Sequence, residues 1–248
     1  PTASGKKVKS GGGAEIDYSN TGDGYVMARV SSKSGSRLKV QVLGPNTTYT
    51  YDLPRGSWAV FPLSDGNGNY TVRVMQNVQG SKYGMLTSVN FSLKLEDEFA
   101  PFLRPNQYVN YDGADNTISK AQELTGSLSN PLDKVQAVYD YVVGNLTYDQ
   151  QKAQTVQSGY LPDLDSVLAN KTGICFDYAA LMTGMLRSQG VPTKLVVGYA
   201  GQAYHAWVNV WTEETGWVDG VIFFDGTTWQ RMDPTFASSG NGSDAIMQ

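Results

Sequence analysis

The sequence predicts an α+β chain in which an N-terminal β-sandwich precedes a half with helices first and an antiparallel sheet afterwards. Short runs of alternating apolar and polar residues fill positions 15–98, and glycine-rich turns such as Gly66-Asn67-Gly68 separate them. Short strands at regular spacing are typical of a sandwich, which we expect to be immunoglobulin-like. From residue 115 apolar residues recur at helical spacing, and beyond Pro192 the period returns to two.

Composition divides the 248 residues into five segments. A Gly-, Ser- and Lys-rich start predicts a flexible leader, two prolines mark a linker, and a Gly-, Ser- and Asn-rich end predicts a fraying tail. The predicted segments are the leader 1–14, the β domain 15–98, the linker 99–114, the helix-and-sheet domain 115–237 and the tail 238–248. Strands in the β domain are expected at 25–30, 38–43, 48–53, 58–63, 69–75 and 87–95.

Two helices of the second half have clear boundary signals. Asn130-Pro131 is a cap residue followed by proline at the first helical position. A second helix opens at Cys175 and ends before Gly190, with Pro192 behind it. A short helix is expected over 165–168. The strands that follow are expected at 195–199, 204–211, 217–224 and 229–232.

Charge and motif content exclude several functions. A net charge of −4, from 19 basic and 23 acidic residues, argues against a nucleic-acid partner. No apolar run is long enough for a transmembrane segment. One Cys and one His are too few for a zinc site, and no nucleotide-binding motif occurs, so no metal or cofactor is expected. Since Pro1 is not an initiator residue, we expect a trimmed, bacterial, extracytoplasmic protein, secreted or held at the cell surface as in a lipoprotein.

The lone cysteine and the lone histidine are the candidate chemistry. Cys175 begins a predicted helix, where the macrodipole favours the thiolate and free N–H groups can hold an oxyanion. A buried structural cysteine is the plainer interpretation. His205 can serve as its base, and strand alternation places it opposite Ala206 and Val208. Spacing alone does not choose which carboxylate orients the imidazole. The candidates are Asp219, Asp225 and Asp233.

An ordered set of motifs between about residues 130 and 236 resembles the transglutaminase-like superfamily. The resemblance implies a papain-like fold and a Cys175, His205 and Asp233 triad. It also implies an upstream oxyanion donor, for which Tyr160 is the candidate with Tyr148 behind it. Trp207 is a candidate wall of the substrate cleft. The motifs are Gly173-Ile174-Cys175-Phe176-Asp177-Tyr178-Ala179, Gly190-Val191-Pro192, Val197-Gly198-Tyr199, His205-Ala206-Trp207-Val208 and Asp233-Pro234-Thr235.

Two functions remain open at this stage. The first is cysteine-dependent acyl transfer or hydrolysis on amide bonds, through a thioester. Its expected partner is a protein or peptide substrate, and a cell-wall-associated substrate is one alternative. The second is a non-catalytic binding or scaffold protein of the cell envelope that retains the fold. The pH dependence of Cys175 alkylation distinguishes them.

Overall fold

Two compact units make up the chain, Pro1–Gln107 and Tyr108–Gln248, and their boundary lies inside the predicted linker. The computed structural model describes residues 1–200 and 203–232. The predicted tail and Asp233 lie outside these residues. Within them, no helix combines the length and the apolar character needed to cross a membrane.

The N-terminal unit consists of two four-stranded antiparallel sheets, with strand orders β1-β2-β3-β6 and β5-β4-β7-β8. Every second side chain along a strand is buried: Val40 and Val72 are fully buried, and their neighbours in the chain are partly exposed. This is the period-two pattern that predicted the strands. The last six strands correspond to the six predicted ones. The strands are β1 Val8–Gly11, β2 Ala14–Asp17, β3 Tyr25–Val30, β4 Leu38–Leu43, β5 Thr48–Leu53, β6 Ala59–Pro62, β7 Gly68–Gln79 and β8 Lys82–Leu93.

The predicted flexible leader is wrong over part of its length. Residues 8–11 form β1, an edge strand that pairs with β2 from Val8↔Asp17 to Gly11↔Ala14. The Gly5 N–H also donates to the Asp17 carboxylate at 2.8 Å. Gly12 and Gly13 adopt positive φ angles of 58° and 84°, which lets the chain reverse in a two-residue turn. The glycines that suggested flexibility therefore form a hairpin.

The C-terminal unit begins with five helices and a short parallel strand pair. Asn130 caps the second helix by accepting the Leu132 N–H at 2.9 Å, as the Asn-Pro signal predicted. Sequence patterns missed the third helix and the strand pair, which are too short to show a period. The elements are α1 Asp115–Thr125, α2 Pro131–Asn145, β9 Thr147–Tyr148, α3 Gln150–Thr155, α4 Leu164–Asn170, β10 Thr172–Gly173 and α5 Cys175–Ser188.

Helix α5 is the centre of this unit. Its first 13 residues, from Cys175 to Arg187, are all buried, so burial extends round the whole helix. Helices α1, α2 and α4 pack on it from one side. Gly184 permits a close approach, because a Cβ there would lie 2.8 Å from the Leu164 side chain. A helix buried on all sides holds its N-terminus in a fixed place.

A four-stranded antiparallel sheet in the order β11-β12-β13-β14 covers the other side of α5. Ala206, Val208 and Val210 of β12 are fully buried, whereas Val196 of β11 is 43% exposed. The predicted alternation, with the apolar residues of β12 on the core side, is therefore confirmed. The strands are β11 Thr193–Ala200, β12 Ala203–Thr212, β13 Gly216–Phe224 and β14 Trp229–Arg231.

The two faces of this sheet should respond differently to the same substitution. Val208→Ala removes fully buried methyl groups and should lower the free energy of unfolding by about 2 kcal/mol. Val196→Ala, on the neighbouring strand and 43% exposed, should change it by less than about 0.5 kcal/mol. Urea denaturation of both variants measures the difference. Equal losses would contradict the assignment of the faces.

Candidate active site

Cys175 is the first residue of α5 and only 2% exposed. Three donors lie close enough to its sulfur to lower the pKa of the thiol: the N–H groups of Phe176 and Cys175 and the Tyr148 hydroxyl. Helix N-terminal N–H groups have no partner within the helix, so they are free to face the thiol. The predicted juxtaposition of the cysteine with free N–H groups is therefore present.

Burial, however, outweighs the donors in the protonation of the thiol. The pKa of Cys175 is raised to about 11, chiefly because burial removes water from the thiol and to a smaller extent because the Asp177 carboxylate is near; the three donors only partly offset these effects. The expected preference for the thiolate is not met in this environment. At neutral pH the sulfur carries its proton, and a base must remove that proton before or during nucleophilic attack.

The two tyrosine candidates occupy different positions. The Tyr160 hydroxyl donates to Asp177 Oδ1 at 2.5 Å and accepts from Lys152 Nζ at 2.6 Å, so its proton is directed at a carboxylate. The Tyr148 hydroxyl instead contacts the Cys175 thiol. Burial raises the pKa of both tyrosines to about 12, which keeps both hydroxyls protonated. The structure thus brings Tyr148 to the sulfur, where the sequence favoured Tyr160.

His205 lies near the beginning of β12, half-buried, with its ring stacked on Trp207 at a centroid distance of 5.5 Å. Across β11 its partner is Gly198, which has no side chain to cover the imidazole. The predicted base and the predicted cleft residue Trp207 are therefore adjacent.

A short series of contacts connects the thiol to this end of β12. The Tyr148 ring stacks on the Phe224 ring with centroids 5.3 Å apart, and Phe224 pairs across the sheet with Ala206, the residue after His205. The first turn of α5 also contributes Tyr178, whose ring stacks on Trp229 at 5.4 Å. The N-terminus of α5 and the histidine end of β12 therefore share one aromatic neighbourhood. Direct pairing of the thiol with the imidazole stays a prediction.

The three candidate carboxylates differ in their hydrogen bonds and in their exposure. Asp225 follows Phe224, which pairs with Ala206, so the strand register places Asp225 beside His205. Its Oδ1, however, already accepts the N–H groups of Thr227 and Thr228, each at 2.9 Å. These bonds lower the pKa of Asp225 to about 2. Asp219 is exposed. Asp233 lies outside the described residues, so its role stays a prediction.

One buried carboxylate was missed by the sequence analysis. Asp177, two residues after Cys175, is fully buried and accepts the Ile174 N–H at 2.9 Å in addition to the Tyr160 hydroxyl. Lys152 Nζ lies 2.8 Å from its Oδ2. An acidic residue at the third helical position is a known capping signal that could have identified it, whereas no local pattern indicates Lys152. Within residues 1–200 and 203–232 no group of three or more potential metal ligands occurs.

Known proteins resemble the second unit. Residues 118–234 match the family model of the transglutaminase-like superfamily. The chain is 32% identical over 118 residues to the uncharacterized protein YebA of Bacillus subtilis, covering 40% of this chain and 16% of that protein. It is also 32% identical over 68 residues to a protein-glutamine gamma-glutamyltransferase of Pseudomonas aeruginosa, covering 22% of this chain and 10% of that one.

Among solved structures, a candidate cysteine protease from Cytophaga hutchinsonii aligns with a TM-score of 0.43 and 17% identity, over 88% of this chain and 86% of that one. The chain spans only a small part of the two sequence relatives, 16% and 10% of their lengths. The match to the family model covers every predicted site residue, including Cys175, His205 and Asp233. Residues 118–234 are therefore similar to the transglutaminase-like superfamily, as the ordered motifs of the sequence predicted.

Proposed function

We propose that this protein is a cysteine-dependent enzyme that cleaves or exchanges amide bonds through a thioester on Cys175. The observation that carries the proposal is the environment of the sulfur. It lies at the N-terminus of a buried helix, near two backbone N–H groups and the Tyr148 hydroxyl, all of which favour negative charge on it. Donors in this arrangement stabilise negative charge that develops beside the sulfur in the transition state.

The proposed reaction begins with attack of the sulfur on a carboxamide carbon. The thiol proton passes to His205, and the carbonyl oxygen becomes an oxyanion held by the Phe176 N–H and the Tyr148 hydroxyl. The C–N bond then breaks, His205 protonates the departing amine, and a thioester remains. Asp233 holds the imidazole in the tautomer that accepts the proton at the sulfur side.

In the second half of the reaction an acceptor attacks the thioester, and His205 takes its proton. A primary amine gives a new amide bond and water gives hydrolysis, with the free thiol restored in both cases. The Pseudomonas relative is named a protein-glutamine gamma-glutamyltransferase. A glutamine side chain in a peptide is therefore the first donor substrate to test, with a lysine side chain or water as the acceptor.

The N-terminal unit has a separate proposed assignment. Strands β1-β2-β3-β6 form one sheet and β5-β4-β7-β8 the other, so the third strand pairs with the sixth and the fourth with the seventh. This split of successive strands between two sheets is typical of immunoglobulin-like sandwiches. We propose that the unit is immunoglobulin-like and acts as a spacer or docking module for the catalytic unit.

Removal of the sulfur tests the proposed chemistry. Cys175→Ala should lower ammonia release from a glutaminyl peptide by at least about 10³-fold, because no other group in the site can form the thioester. Thr183→Val is the matched control, since Thr183 lies on the same helix, is fully buried, and its hydroxyl has no hydrogen-bond partner within the described part of the chain. The control should retain activity. Equal turnover by parent and Cys175→Ala would refute the proposal.

The pH dependence of Cys175 alkylation separates the enzyme from a non-catalytic relative. With His205 as base, the parent should react with iodoacetamide near neutral pH. In His205→Ala the rate should rise only as the pH approaches the raised thiol pKa of about 11, because burial keeps the proton on the sulfur below that value. Superimposable profiles for the two proteins would mean that the imidazole does not act on the thiol.

Three isosteric substitutions distinguish the carboxylates. Asp233→Asn should lower kcat by roughly 10²- to 10⁴-fold with little effect on the free energy of unfolding, as expected for a group that orients the base. Asp225→Asn should mainly weaken the turn at 225–228, because its oxygens accept N–H groups there. Asp219→Asn, at an exposed position, is the control. A larger loss of kcat in Asp225→Asn than in Asp233→Asn would reassign the third member of the triad.

A further inference from the structure

Asp177 joins three segments of the chain immediately behind the nucleophile. Its Oδ1 accepts the Tyr160 hydroxyl at 2.5 Å, and its Oδ2 accepts Lys152 Nζ at 2.8 Å and the Ile174 N–H at 2.9 Å. The donors come from α3, from the loop after it and from the residue before Cys175. We call Asp177, Tyr160 and Lys152 the Asp177 cluster.

The Asp177 carboxylate also packs directly against the backbone that leads into α5. A Cβ added at Gly173 would lie 2.6 Å from Asp177 Cβ and 2.9 Å from Oδ2. The Ile174 N–H is hydrogen-bonded to the carboxylate and Gly173 is in contact with it. The segment that presents Cys175 therefore has little freedom to move. The cluster therefore controls the backbone on which the oxyanion donors depend.

The buried negative charge of Asp177 is balanced by the positive charge of Lys152, whose side chain reaches the surface. Asp177 is fully buried, whereas the Lys152 side chain is 30% exposed and supplies the only positive charge bonded to it among the described residues. A negative charge beside a helix N-terminus is itself stabilised by the macrodipole. Without the lysine, however, the buried carboxylate would act at full strength on the neighbouring thiol, since like charges disfavour ionisation.

The titratable groups that face this carboxylate come from each surrounding segment. They are Lys152 from α3, Tyr160 from the loop, Tyr148 from β9 and Cys175 from its own helix. The tyrosines stay neutral, because burial raises the pKa of each to about 12. Lys152 is therefore the group whose positive charge offsets the effect of the Asp177 charge on the sulfur.

Resting on the proposed function, we propose that Asp177 and Lys152 are positioning residues: Asp177 fixes the Cys175 turn, with Tyr160 as its structural partner, and Lys152 shields the thiol from the Asp177 charge. A purely structural cap would stabilise the fold without changing how readily the thiol ionises. The two roles therefore differ in their effect on the ionisation of Cys175. None of the three residues takes part in the bond-forming steps.

The test measures alkylation of Cys175 by iodoacetamide in a His205→Ala background, so that the imidazole does not contribute. At about pH 9, below the thiol pKa, the rate is proportional to the thiolate fraction. Lys152→Met should lower this rate by roughly three- to tenfold, because the carboxylate is no longer compensated. Lys152→Met combined with Asp177→Asn should restore it. Tyr160→Phe, which keeps all charges, should change it by less than about twofold.

Lys120→Met is the matched control, because Lys120 pairs with Glu123 on the surface of α1 and its loss changes net charge equally. It should leave the alkylation rate unchanged. Urea denaturation verifies that each variant is folded. A Lys152→Met rate equal to that of the control, a double variant slowed as much as Lys152→Met alone, or a thiol unreactive in every folded variant would overturn the proposal. Because no amide substrate is used, the result is independent of whether the enzyme proposal holds.

Discussion

The burial of α5 between three helices and a sheet is the constraint on which the rest of the C-terminal unit depends. Cys175 to Arg187 are all buried, so polar groups on this helix require partners within the protein. Asp177 receives three donors, and Arg187 Nε donates to the Thr193 carbonyl at 2.9 Å. Burial thus dictates both the apolar core and the polar clusters at the ends of the helix. It also determines where the sulfur lies.

The same burial gives the thiol its chemical character. Removal of water raises the pKa of Cys175 more than three hydrogen-bond donors lower it. The donors do not produce a stable thiolate in the resting protein, but they are available for the charge that develops during attack. Under the proposed mechanism, proton transfer to His205 and attack on the carbonyl carbon are therefore coupled. A protonated resting thiol is also less prone to oxidation than a thiolate.

Signals within short windows allowed much of this fold to be predicted. Asn130-Pro131 predicted the start of α2, and the Cys175 to Gly190 segment predicted α5, because caps and apolar periodicity are local. Contacts between distant segments could not be predicted. The pairing of β9 with β10 and the bond from Lys152 to Asp177 depend on tertiary packing alone. Tyr160 was favoured over Tyr148 for the same reason, since proximity in sequence does not report the direction of a hydroxyl.

The proposed mechanism requires a covalent bond between the sulfur at the start of α5 and the acyl group of the substrate. Its most direct test is mass spectrometry of the protein after an acid quench during turnover of a glutaminyl peptide. A thioester mechanism predicts a peptide adduct, with ammonia lost, on the tryptic fragment that contains Cys175, and its disappearance after treatment with hydroxylamine. Turnover of the peptide without any adduct at this cysteine, or with an adduct at another residue, would contradict it.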